Sequence, residues 1–211
     1  MPYAVPWSGE VSAVGGALTV RPDGSGLAYR DETPHDRDRN GVLWARITHA
    51  PGTGHPNYRS MHSHRQRHAM LHNLCQVCGG PADRTSQGWL FLLTDTDRTP
   101  ADNTAGDNAN GPTRRADWPE GSVTTKPPVC LRCAGLAVRH CPHLATPLFI
   151  RSRKPRHWGV FGGFFLPTAT GALTASDDAY LPYGAPPARW FLASQAAVEL
   201  TRCTRVTANR L

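Results

Sequence analysis

Four of the six cysteines fall into two C-x-x-C pairs, Cys75-Gln76-Val77-Cys78 and Cys130-Leu131-Arg132-Cys133. A C-x-x-C turn offers two sulfurs from one tight bend, and two such turns supply the tetrahedron of thiolates that zinc favours. Gly79 gives the first turn its conformational freedom. The second pair sits where a helix should begin, and the dipole there favours the thiolate form of Cys133. The N-terminus, MPYAVPWSGEV, has neither a basic start nor an apolar run, and the longest near-apolar stretch, 159–166, is too short for a bilayer. A cytoplasmic chain without membrane association is therefore expected, and in that compartment paired cysteines read as metal ligands before disulfides. Cys75, Cys78, Cys130 and Cys133 are predicted to bind one structural Zn2+.

Other residues could extend this chemistry. Cys141 and His143 follow the second pair and could replace a ligand or begin a second site; the plainer reading is a buried thiol and a surface imidazole. Cys203 stands alone and reads as a free thiol. His64, His68 and His72 recur every four residues along one helix face, where neighbours could chelate a metal and Arg65 and Arg67 could meet phosphate. A solvated polar face is the simpler account, and no HExxH-type glutamate accompanies the histidines. Residues 36–41, DRDRNG, match half of a calcium loop, but Ile47 stands where a closing glutamate belongs, so a strand-connecting turn is expected.

The net charge of +7 is unevenly distributed. Residues 121–176 contain no acid, while Lys126, Arg132, Arg139, Arg151, Arg153, Lys154 and Arg156 lie within them. Clustered cations attract phosphate backbones through counterion release, and an aromatic beside them can stack on unpaired bases. Arg151, Arg153, Lys154, Arg156 and Trp158 are thus the candidate nucleic-acid contacts.

The elements that must position these residues are short. Residues 11–29 read as a hairpin around the turn 21–26, and 42–48 as a third strand. Ser60 is placed to cap a helix reaching about Leu74, with Met61, Met70, Leu71 and Leu74 inward. A strand is predicted over 89–94, a short return at 122–126, and a helix over 131–140. A polar insertion at 95–120, too rich in Asp, Asn, Thr, Gly and Pro to pack, explains why 51 residues (79 to 129) separate the cysteine pairs. Residues 148–151 and 160–166 read as a second hairpin with a basic tip at 153–157, and 187–200 as a final helix followed by a loosely held tail. The expected architecture is α+β: short hairpins and a few helices organised around a treble-clef-like zinc site. Its segments are a β-rich 1–59, a zinc-binding core at 60–146 and a basic hairpin with a C-terminal helix at 147–211, forming one compact domain.

The segments LCQVCGGPA and PPVCLRCAGLAVRHCPHL resemble the zinc-binding frame of treble-clef proteins, including the HNH endonuclease group. They are also similar to uncharacterised zinc-finger proteins of high-GC actinobacteria and their phages. The resemblance spans about residues 60–145 and implies the metal frame alone. HNH nucleases carry catalytic histidines between the cysteine pairs, and residues 79–129 here contain none, so no catalytic role transfers. The chain also lacks a P-loop, a dinucleotide fingerprint and a nucleophile elbow. A zinc-stabilised, non-enzymatic nucleic-acid-binding protein is the leading expectation. The alternatives are a protein-interaction or structural component of a phage or regulatory complex, with a protein partner, and a diverged nuclease.

Overall fold

The structure, a computed structural model, describes residues 2–14, 16–94, 118–141, 144 and 146–207. In chain order its strands and helices are β1 (Leu18–Val20), β2 (Leu27–Tyr29), β3 (Leu43–Trp44), α1 (Ser63–His72), β4 (Arg84–Thr85), β5 (Gly88–Leu93), β6 (Val123–Thr124), α2 (Leu131–His140), β7 (Leu148–Ser152), β8 (Arg156–Pro167), β9 (Leu173–Pro182), β10 (Phe191–Glu199) and β11 (Cys203–Val206). The α+β class holds, with sheets dominant. The chain divides into two compact units that are each discontinuous in sequence.

The first unit comprises Met1–Tyr3, His68–Trp158 and Ala197–Leu211. Its sheet has the order β11-β7-β5-β4, antiparallel throughout, with Phe91 opposite Ile150 and Arg205 opposite Ile150 from the other side. The run GWLFLL of β5 is almost wholly buried because strands flank it. Leu90, Leu92 and Phe149 from the sheet pack with Cys75, Val129, Cys133 and Ala134 in one cluster. Only the first turn of α2 contributes to that cluster with buried side chains, at Cys133 and Ala134.

The second unit comprises Ala4–Arg67 and Gly159–Ala196. Here β1 and β2 form the predicted hairpin, pairing Val20 with Leu27 across the turn. Leu192 and Ala193 of β10 pair in parallel with Leu43 and Trp44 of β3. The residues of β8 from Gly159 onward pair antiparallel with β9, with a register shift between Gly163 and Phe165. At Gly162 the backbones of β8 and β10 approach so closely that an added Cβ would stand 2.1 Å from the Leu192 carbonyl oxygen. Leu27, Tyr29, Leu43 and Leu192 form the core.

Several expectations are corrected. The segment 187–200 is not a helix: a 3-10 turn at Pro186–Trp190 leads into strand β10. Of the inward positions expected there, Trp190, Phe191, Ala193, Ala197, Val198 and Leu200, all but the half-buried Trp190 are enclosed, but a continuous apolar run suits a doubly covered strand equally well. The strands at 148–152 and 156–167 form, yet they join different sheets and do not pair as a hairpin. Of the tail after Thr201, Cys203–Val206 form edge strand β11, fixed to β7 and held by Glu120, whose carboxylate accepts the N–H groups of Arg202 (2.8 Å) and Cys203 (2.7 Å). Helix α1 begins at Ser63, past Ser60, and Leu71 faces outward at 39 % exposure. Of the polar insertion, residues 95–117 lie outside the described residues. Trp118 at its end is buried against Arg205, which stacks on the indole and donates to its carbonyl at 2.6 Å.

Candidate metal centre

The first cysteine pair is shaped by backbone hydrogen bonds around Gly79. The Gly79 N–H donates to the Cys75 carbonyl (2.8 Å) and the Cys75 N–H to the Gly80 carbonyl (2.7 Å), closing a tight knuckle. Gly79 has φ of +75°, and a Cβ there would also strike the Tyr3 ring at 2.7 Å, so only glycine fits on both counts. Tyr3 itself is fastened by its N–H to the Val77 carbonyl (2.8 Å).

The second pair reaches the knuckle through residues 128–129. The Gln76 N–H donates to the Pro128 carbonyl (3.1 Å), the Asp83 N–H to that of Val129 (3.0 Å), and the Val129 N–H to that of Leu90 (2.8 Å). Cys130 then occupies the cap position of α2 in extended conformation, and Cys133 points inward from the first turn. These bonds bring together residues that stand far apart along the chain.

The four sulfurs lie within 4.8 Å of one another, and the Cys78 and Cys130 sulfurs are 3.9 Å apart. None of the four is in a disulfide. A tetrahedron with metal–sulfur bonds of 2.3 Å has edges of about 3.8 Å, so the spacing suits one ion bound by all four. Burial pushes the Cys75 and Cys133 thiols up. At Cys78 burial acts the same way, but the Gly80 amide and hydrogen bonds from the other three cysteines outweigh it and lower the thiol. A cation would release the protons that this crowding retains. Cys75 and Cys133 are enclosed, Cys130 is half-buried and Cys78 is exposed. Cys141 is not part of the group, and His143 lies outside the described residues. Cys203 is a lone thiol pushed up to about 12 by burial and by Glu120.

Of the candidate nucleic-acid contacts, Arg151 is withdrawn. It is 4 % exposed and its guanidinium is held by Asp83 (2.6 Å) and the Gly88 carbonyl (3.2 Å). Its position on β7, a central strand, turns it inward where the sequence implied a surface hairpin. Arg156 is exposed but paired with Glu199 at 2.5 Å. Arg153 and Lys154 are exposed, and Trp158 is half-buried. The histidines His64, His68 and His72 are all exposed. His68 accepts or donates one bond with the Tyr3 hydroxyl (2.9 Å) and lies 4.7 Å from the His72 ring, centre to centre. Asp36 is used by Arg46 and Asp38 by the amides of Asn40 and Val42, as a strand-connecting turn requires.

Sequence reading missed a second cluster, in the second unit: Glu10, His49 and His62. Its centre is already a cation. Arg65, foreseen as a phosphate contact, is buried and grips Glu10 with two bonds of 2.6 Å, while the Trp7 and Ala50 amides take the same carboxylate at 2.8 and 2.9 Å. Burial raises the Glu10 pKa, but these donors outweigh it and hold it at about 2. His62 precedes α1, and its Nδ1 accepts the Arg65 N–H (3.3 Å), which leaves the Nε2 proton facing the Thr48 carbonyl (3.3 Å). Burial and then the Arg65 charge depress its pKa to about 4, so the ring is neutral at pH 7. A metal ion would have to displace Arg65, which makes this group a structural lock. Glu10 and Arg65 are 55 residues apart, and no local spacing links them.

Among the described residues no helix is long and apolar enough to cross a membrane. The chain matches no protein-family model, no curated protein and no solved structure.

Proposed function

We propose that the cysteine tetrad holds a structural zinc ion and that the basic unit it braces binds nucleic acid. Zinc is favoured over other metals because four thiolates in a closed tetrahedron leave no open position for catalysis and suit a redox-inert d10 ion. The succession of knuckle, β4–β5 hairpin and α2 supports a treble-clef frame. One observation carries the binding role: among the described residues of the first unit, ten Arg and Lys stand against Asp83, Glu120 and Glu199. All three acids are already engaged, with Arg151, with two backbone amides and with Arg156. Arg84, Arg132, Arg139, Arg153, Lys154 and Arg202 are exposed, and the unit's field is positive.

Metal analysis of the purified chain should return one zinc per molecule. Titration with single- and double-stranded DNA and RNA at two salt concentrations should give binding that weakens steeply as salt rises. Arg153→Ala with Lys154→Ala, and separately Arg132→Ala with Arg139→Ala, should each reduce affinity and flatten the salt slope by about 1–2. Absence of binding at low salt overturns the role. A second reading has its own observation: Leu131, Leu136 and Val138 are 38–41 % exposed on α2, a surface suited to a protein partner whose binding would be insensitive to salt.

A further inference from the structure

The second unit holds a cleft of about 650 Å3, within the range of sites that enclose small ligands. One wall is residues 55–61, and that wall is built in advance of any ligand. The Ser8 N–H donates to the His55 carbonyl (2.8 Å), the Gly9 N–H to that of Thr53 (3.1 Å) and the Asn57 N–H to that of Pro6 (2.8 Å). The His55 N–H returns a bond to the Ser8 hydroxyl (3.2 Å), and Asn57 Oδ1 accepts the Arg59 N–H (3.1 Å). The loop is thus laced to the N-terminal segment rung by rung.

Charge within the cleft is sorted. Glu10 lines it, but both carboxylate oxygens are taken by Arg65 and two amides. Arg46 lines it too, and is neutralised by Asp31 and Asp36. Arg59 is different: it is exposed, and its guanidinium has no ion-pair partner among the described residues. Beside it in sequence Tyr58 leaves 72 % of its surface in water, a large exposure for an aromatic on a well-braced loop. Both line the cleft, and an unpaired guanidinium with an uncovered ring on one wall can hold a planar group by stacking and its anionic substituent by charge.

We propose that this cleft binds a small planar ligand bearing a phosphate, of mononucleotide size, with Tyr58 stacking on the ring and Arg59 taking the phosphate. The site lies outside the cysteine-bearing unit and does not depend on the nucleic-acid reading above. Calorimetric titration of the metal-loaded chain with AMP and UMP is the test, with adenosine and inorganic phosphate as the two halves. AMP or UMP should bind at least tenfold more tightly than either half. Tyr58→Ala and Arg59→Ala should each weaken binding about tenfold while leaving the melting temperature unchanged, since both side chains are exposed. Arg153→Ala with Lys154→Ala should not alter it. No measurable heat with either nucleotide at millimolar concentration, or binding indifferent to Tyr58 and Arg59, overturns the proposal. Binding lost only with the Arg153 and Lys154 changes also overturns it, and assigns the nucleotide to the basic unit.

Discussion

At the scale of single residues, the molecule depends on groups whose partners lie far away in the chain. Removing one cysteine, as in Cys133→Ser, should drop the metal content below one per chain. Chelation of the intact protein should lower its melting temperature by about 10 °C, since a ligand present at a thousand times its Kd contributes about 4 kcal/mol and each kcal/mol shifts a chain of this size by about 2–4 °C. Calorimetry with and without chelator checks this. The Glu10–Arg65 pair is equally sensitive to halving: Arg65→Met strands a buried carboxylate and should cost about 3–5 kcal/mol, much of it regained by adding Glu10→Gln, as urea unfolding would report. His62 sets a pH window. Its folded pKa of about 4 lies below the ordinary 6.5, so an unfolded chain takes up a proton that the folded chain refuses. Stability should therefore fall as pH drops from about 6.5 to about 4, by on the order of 3 kcal/mol. His62→Asn, which keeps a capping acceptor, should remove that part of the pH dependence. Glu10, with its pKa held near 2, contributes stability above pH 4.5 that is lost as pH falls from about 4.5 to about 2.

At the scale of elements, α1 and β10 are joined by a side chain acting as backbone. Gln66 is fully buried; its amide donates to the Ala196 carbonyl (2.9 Å) and accepts the Ala196 N–H (2.8 Å), completing the strand where another strand would otherwise pair. Gln66→Met should leave both groups unsatisfied and cost about 2–6 kcal/mol, at about 1–3 for each, measurable as a shift in the urea midpoint. This is also where the sequence was least legible. The helix at 131–140, the knuckle and the β1–β2 hairpin were readable because each is specified locally, by a C-x-x-C turn, a run ending at a proline or a Pro-Asp-Gly turn. Strand β10 was misread because FLASQAAVEL is apolar without a decisive period, and its strand character comes from β3 and β8 beside it. Arg151 was misplaced for the same reason: pairing of β7 with β5 and β11 is non-local, and it is that pairing which buries the side chain beside Asp83.

At the scale of the whole molecule, a cut in the sequence does not separate the two units. Each is assembled from distant stretches, and the chain leaves one for the other within α1, within β8 and within β10. A cut near residue 146 removes strands from both units whichever side is kept, and removing residues 1–59 takes β1, β2 and β3 from the second. The arrangement also orders events on the ribosome. The last of the four clustered cysteines, Cys133, is made while β7 through β11 are still to come. With the ion proposed above, the nascent chain would fix the knuckle against α2 before the β11-β7-β5-β4 sheet or the sheet containing β10 has its last strand. On the zinc reading, metal supply during synthesis would decide whether the late strands meet a finished template or a loose one, and a pulse of chelator should harm yield far more when given during translation than after it.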